Sequence, residues 1–208
     1  MSSLTGTPPV AAGRGNAMKL IMYDQGVEWT DKVVTIEEWM KGDLKKTCLF
    51  GQLPKLKDGD LVLYQSNAIL RHLARKHGLY GKDGKEAALI DMMNDSIEDL
   101  RVKYLRMIYQ EYETGKEKYI KELPGHLCYF EAILAKCPSG FLVGDKISFA
   151  DYNLYDFLVV QKILCCKCLD NFPSLKGYVD KIGSRPKVKA FMESDSCTKL
   201  PVNGNGKQ

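Results

Sequence analysis

FGQLPKLKDGDLVLYQSNAILR, residues 50–71, is the stretch around which the rest of the chain is organised. Two short extended runs, Lys55 to Lys57 and Asp60 to Tyr64, flank Asp58-Gly59, a dipeptide that tolerates the positive φ angles of a tight hairpin turn. After the second run, Gln65-Ser66-Asn67 meets an apolar helical pattern at Ile69, Leu70 and Leu73. Ser66 is therefore the expected N-cap, and the N–H groups beside it are free to meet an anion. Before the hairpin, Gln52-Leu53-Pro54 places a proline at the first position of a strand, where no ladder donor is lost and the X-Pro bond can be cis. An extended peptide could then pair with the main chain of Leu53 while its carboxylate rests on the helix start. Taken without further context, a hairpin followed by a serine-capped helix is more often architecture than a binding site.

Working outward, Gly13 to Met22 is helical in period, with Ala17, Met18, Ile21 and Met22 on one face and Gly26 placed to end the helix. Trp29 to Val34 suits a short strand, and Ile36 to Lys46, which lacks a long apolar stripe, suits short irregular helical turns that expose Trp39. The opening MSSLTGTPPVAA shows no strand alternation and reads as a flexible or turn segment. The order strand, helix, strand, hairpin, helix belongs to a thioredoxin-like unit spanning residues 1–77, whose first strand should precede Gly13 but is disrupted or missing. Residues 78–84, with three glycines, form a linker. Residues 85–208 then form an all-helical domain, with helices near 85–112, 116–136, 149–164, 174–183 and 186–194. Ile147-Ser148-Phe149-Ala150-Asp151-Tyr152 is a capping box with a hydrophobic staple, a structural signal.

At 208 residues, 45% apolar and 27% charged, the chain is an ordinary globular protein large enough for two domains. Its formal charge of +4 is mild, and Lys and Arg alternate with Asp and Glu, as in Lys116-Glu117-Lys118, which argues against a nucleic-acid partner. No apolar run is long enough to span a membrane, and the start lacks the apolar core of a signal peptide, so a cytoplasmic protein is expected. Seven cysteines, an odd number, suit free thiols in a reducing compartment. Cys165-Cys166-Lys167-Cys168 lies far from all three histidines, so no metal is expected there. Cys48 follows Lys45-Lys46-Thr47, where ammonium groups would lower a thiol pKa, although inert packing is the simpler reading.

The string Phe50-Gly-Gln-Leu-Pro54, with Asp58-Gly-Asp60 and Tyr64-Gln-Ser-Asn-Ala-Ile-Leu-Arg71, closely resembles the glutathione-binding half of a cytosolic glutathione transferase of the pi class. The likeness extends from about Ala17 to Asn203-Gly-Asn-Gly-Lys-Gln208, and the first sixteen residues depart from it. The resemblance implies an enzyme that conjugates the glutathione thiolate to hydrophobic electrophiles, a detoxifying reaction, with glutathione as cosubstrate and no other cofactor. It implies that Leu53, ahead of a cis Pro54, pairs with the cysteinyl unit. Gln65 and Ser66 would take the γ-glutamyl carboxylate, and Trp39, Lys45 and Gln52 the glycyl carboxylate. Asp99 would reach the ligand from the partner subunit, and Arg14 would steady both ligand and thiolate. An electrophile pocket would be lined by Pro8, Pro9 and Ala11, with Ile36, Tyr109, Asn203 and Gly204. A homodimer would form by Phe50 entering the neighbour near Met92; the class usually has tyrosine at position 50.

One position departs from that pattern. A free thiol has a pKa of about 8.5, and the family stabilises its thiolate with a tyrosine hydroxyl at the end of the first strand. Position 8 should hold it and carries Pro8, with neither hydroxyl nor N–H. Thr7 is one place away, so along a strand it points to the other face. The expected consequence is glutathione binding with reduced turnover. The alternative is a non-catalytic ligand carrier or scaffold that keeps the fold and the groove. A cysteine-based redox enzyme on the same fold needs a thiol at the start of the first helix, where Gly15 and Asn16 stand.

Overall fold

The structure, a computed structural model, describes residues 2–6, 14–198 and 202–208. Four strands, β1 (Ser2–Gly6), β2 (Trp29–Val33), β3 (Lys55–Asp58) and β4 (Leu61–Tyr64), form one sheet in the order β2-β1-β3-β4. β1 runs parallel to β2 and antiparallel to β3, and β3 and β4 make the hairpin. Helix α1 (Asn16–Asp24) is the crossover from β1 to β2. Two short helices, α2 (Ile36–Lys41) and α3 (Asp43–Thr47), precede the hairpin, and α4 (Ser66–His77) follows it. Six further helices complete the chain: α5 (Gly84–Gln110), α6 (Tyr112–Ala135), α7 (Phe149–Leu164), α8 (Pro173–Gly183), α9 (Pro186–Met192) and α10 (Asp195–Thr198). This is a thioredoxin-like unit followed by a helical one.

The opening segment corrects the sequence reading. Ser2–Gly6 is not a turn, and the first strand is not missing: it is an inner strand, paired along its length with β2 and over four residues with β3. Ser, Thr and Gly are poor signals of a strand, but tertiary context overrides propensity here. Leu4 lies opposite Leu56, and both are fully buried. The Ser2 hydroxyl donates to Asp58 Oδ1 at 2.8 Å, and the same carboxylate meets Lys76 Nζ at 2.7 Å and His72 Nε2 at 2.9 Å, both from α4. Asp58 thus ties the first strand, the hairpin and the helix behind it. Because Asp58 stays paired in the ladder, opposite Leu61, the hairpin turn falls one residue later than the sequence suggested, on Gly59-Asp60. Gly59 takes φ +62° at the first central position, which a primed turn requires.

Seven consecutive residues of α1, Asn16 to Met22, are buried, because the helix packs against α4 on one side and α7 and α9 on the other. At its end, Tyr23 stacks on Phe191 of α9 with ring centroids 4.4 Å apart. α7 is the axis of the helical unit, with little of its surface left to solvent. Its start is the expected capping box: Ser148 and Asp151 bond reciprocally, and Asp151 also accepts from the Leu142 N–H at 2.9 Å and the Tyr178 hydroxyl. Two further ties join the units, from Tyr152 to Asp24 at 2.5 Å and from Arg185 to the same carboxylate at 2.7 Å.

Replacing Asp58 by Ala is expected to lower stability by about 2 kcal/mol, the scale of hydrogen bonds to a charged group. Lys76 and His72 hold the Asp58 carboxyl well below its ordinary range. Its contribution is therefore complete above the unfolded value of about 3.9 and is lost as pH falls through the depressed folded value. Urea unfolding of the two proteins across pH should show the gap at neutrality and its closure in acid.

Candidate functional site

The loop after α3, the hairpin and the start of α4 enclose a hollow of about 340 Å³ lined by Arg14, Gln52, Leu53, Pro54, Tyr64, Gln65 and Ser66. The Leu53-Pro54 peptide bond is cis, as the sequence suggested. The α4 start differs in detail from expectation. Ser66 is the first helical residue, and the N-cap is Gln65, with φ +68°, ψ 116° and no side-chain hydrogen bond to the helix. Gln65 is the one non-glycine residue with positive φ among the described residues. Such a conformation costs on the order of 1–3 kcal/mol and persists only where the surroundings hold it. Its effect is to leave the first N–H groups of α4 without a side-chain acceptor, at the positive end of a three-turn helix that faces the hollow.

A cation stands over the same place. Arg14, just ahead of α1, puts one terminal nitrogen 3.4 Å from Ser66 Oγ and 2.9 Å from Glu98 Oε2 of α5. Glu98 is held in turn by Arg101, one helical turn on, at 3.1 Å. The helix N-terminus and the guanidinium put positive charge on one side of the hollow, an arrangement chemically suited to an anion, and Leu53 and Pro54 give it an apolar edge.

Six of the residues singled out from sequence therefore share one hollow: Arg14, Gln52, Leu53, Pro54, Gln65 and Ser66. The other three residues assigned to the ligand, Trp39, Lys45 and Asp99, stand outside its lining. Trp39 is half-buried in α2, and Lys45 lies in α3, its alkyl chain within 3.7 Å of where a Cβ on Gly51 would be, beside the loop that leads to Gln52. Asp99 is exposed on α5 in a different groove, of about 400 Å³, between α5 and α6, which also contains Met92 and Tyr129. Phe50 is 57% exposed, with its ring edge-to-face on Tyr64 at 6.4 Å. Tyr109 is half-exposed, and its hydroxyl accepts the Gly204 N–H at 3.0 Å. Asn203 is fully buried and pairs with the Tyr104 hydroxyl at 2.8 Å, so its side chain pins the tail to α5. Thr7, Pro8, Pro9 and Ala11 lie outside the described residues, as does the Ile36 side chain.

Two residues of the site escaped the sequence reading, Tyr64 and Glu98. Tyr64 ends β4 after the continuous apolar run Leu61-Val62-Leu63 and looks like core. Glu98 carried one usable signal, its i, i+3 spacing to Arg101 on a helix. Cys48 is buried and does not border the hollow. No group of three or more His, Cys, Asp or Glu placed to hold a metal occurs among the described residues. Among those residues, no helix is long and apolar enough to cross a membrane.

Comparison with known proteins places the chain in a family. The glutathione S-transferase N-terminal domain matches residues 12–75, and the C-terminal domain of the same family matches residues 98–195. The chain is 56% identical to human (Homo sapiens) glutathione S-transferase P and 57% identical to that of Bos taurus, each over 94% of both chains. The solved pi-class glutathione S-transferase of Onchocerca volvulus superposes with a TM-score of 0.93 at 44% identity, covering 100% of this chain and 99% of that one. With both domain models matched and more than half of the residues identical to curated pi-class relatives, this protein belongs to the pi class of the glutathione S-transferase family.

Proposed function

We propose that the hollow binds glutathione in extended form and that the chain conjugates its thiolate to hydrophobic electrophiles at a reduced rate. The observation that carries this reading is the α4 start, where uncapped N–H groups, Gln65 and Arg14 converge on one anion-sized space beside Leu53-Pro54. The γ-glutamyl carboxylate rests there, the cysteinyl unit pairs with the Leu53 backbone, and the glycyl end reaches Gln52, Trp39 and Lys45. Arg14 acts as the supporting catalytic cation. The electrophile enters from the side of Tyr109 and Gly204, near Ile36, Pro9 and Ala11. Residues 1–77 and 85–208 are the two domains, joined by 78–84. The protein works in the cytoplasm as a homodimer, in which Phe50 of one copy enters the groove near Met92 of the other and Asp99 approaches the neighbour's ligand.

The reduced rate follows from position 8. Position 8, where the family pattern has tyrosine, is proline in this chain. Pro8 offers no hydroxyl to a developing thiolate. Loss of one such donor typically costs about 10²- to 10³-fold in rate. The same absence favours a second reading, a glutathione-fold carrier or scaffold without chemistry.

The chain should be retained on immobilised glutathione yet turn over an aryl halide about 10²- to 10³-fold more slowly than a tyrosine-bearing pi-class enzyme. Pro8→Tyr should recover most of that loss. Full turnover in the unmodified chain would refute the argument about Pro8, and failure of retention would refute the site. Ser66→Ala should raise the dissociation constant for glutathione about tenfold or more by calorimetry, the worth of a hydrogen bond to a charged group. Phe50→Ser should weaken self-association at least about 30-fold by sedimentation, as expected for an aromatic anchor at the centre of an interface.

A further inference from the structure

The run Cys165-Cys166-Lys167-Cys168 takes no part in the glutathione hollow and closes the C-terminal end of α7. Cys165 ends the helix: its N–H donates to the Gln161 carbonyl at 2.8 Å and its own backbone is extended, with φ −145° and ψ 97°. The chain folds back at once, and the Cys168 N–H donates to the Cys165 carbonyl at 3.0 Å. An i to i+3 bond of this kind closes a four-residue turn, whose end Cα atoms lie within about 7 Å. A disulfide spans Cα separations of about 4.4–6.8 Å. The turn therefore brings these two cysteines into bridging range.

Exposure divides the three thiols. Cys166 is exposed, Cys165 is half-buried, and Cys168 is buried among core residues that include Leu169 and Phe172. None is in a disulfide. Burial pushes the Cys168 thiol up to about 12, and charge on Cys165 pushes it the same way, so the two sulfurs are electrostatically coupled.

We propose that Cys165 and Cys168 are a redox pair that closes into an intrachain disulfide on exposure to a low-molecular-weight disulfide such as glutathione disulfide. The Cys165 thiol, the more accessible of the pair, loses its proton to solvent and attacks one sulfur of the oxidant. The oxidant's S–S bond breaks, leaving a mixed disulfide on Cys165 and one glutathione thiolate, which takes up a proton. Cys168 then loses its own proton and attacks the Cys165 sulfur, and a second glutathione thiolate leaves and is protonated. The protein has lost two electrons and two protons, and one glutathione disulfide has become two glutathiones.

The place in the fold sets the character of the pair. A Cys-x-x-Cys at a helix N-terminus has its thiolate stabilised, whereas this one follows a helix C-terminus, where the carbonyl ends disfavour negative charge. Burial disfavours the Cys168 thiolate, so closure is slow. A reduced form without thiolate stabilisation also makes the bridge, once formed, hard for glutathione to reopen. The bridge fixes the corner between α7 and α8 and borders none of the residues that line the glutathione hollow.

The test incubates the full chain with excess glutathione disulfide, blocks the remaining thiols and maps the peptides by mass. The peptide holding 165–168 is expected to lose two hydrogen atoms, with Cys166 outside the bridge. Closure should run roughly tenfold faster for each unit of pH gained below the thiol pKa, because the thiolate is the nucleophile. Cys166→Ser should keep the bridge, whereas Cys165→Ser and Cys168→Ala should abolish it. Free thiols at both 165 and 168 after treatment of the unmodified chain overturn the proposal, and so does a bridge that engages Cys166. The mapping of the unmodified chain decides without any variant having to fold, and it does not depend on transferase activity.

Discussion

The Asp156 carboxylate fixes how the two halves of the chain meet. It sits mid-way along α7, 2% exposed, accepting the Asn16 amide at 2.6 Å and facing the Arg101 guanidinium at 3.0 Å. Burial pushes this carboxyl up, and Arg101 draws it back. Removing one partner from a buried pair of this kind costs about 3–5 kcal/mol, because the other charge is left uncompensated. The start of α1, the middle of α5 and the middle of α7 must therefore hold one register. Asn16 is two residues beyond Arg14, and Arg101 is one turn beyond Glu98, which grips Arg14. The network that closes the domain interface thereby aims a cation at Ser66.

Much of this was legible from spacing. The long helices have apolar periods that show wherever one face is buried, and α7 announces itself through a capping box whose two partners are three residues apart. The hairpin was equally plain, because glycine and alternation are local signals. The strand Ser2–Gly6 was not legible: its five residues carry a single large apolar side chain, Leu4, and its stability comes from two neighbours distant in sequence. Gln65 as the cap escaped for a related reason. A serine beside a helix reads as a cap, and only the tertiary setting of the loop forces the positive φ one residue earlier. The resemblance to a family found six residues of one hollow, yet it could not place Tyr64 and Glu98, whose roles depend on what stands behind and beside them.

The charge balance at the hollow leaves hydrogen-bond donors over, beyond those already paired within the protein. Arg14 is 35% exposed at its side chain and already has an acid partner in Glu98, so it is not an unpaired cation. Its contacts to Glu98 and Ser66 both use one terminal nitrogen. A guanidinium carries five N–H donors, so the remaining ones can serve an incoming carboxylate without breaking the grip of Glu98. The neighbouring α4 N–H groups add partial positive charge without adding a titratable group.

The exposed Phe50 ties this chemistry to the surface. Its ring stands edge-to-face against Tyr64, and Tyr64 is one wall of the hollow. The loop that carries Phe50 leads directly through Gly51, at φ +58°, to Gln52 and Leu53 on the opposite wall. An aromatic ring more than half exposed gains by being covered, since each buried Å² of apolar surface contributes about 25 cal/mol. Whatever surface covers Phe50 also restricts the loop and the Tyr64 ring, and so steadies two walls of the hollow at once. Ordering those walls before the ligand arrives reduces the conformational entropy that binding must remove. Covering Phe50 and ordering the walls of the hollow are therefore linked through one side chain.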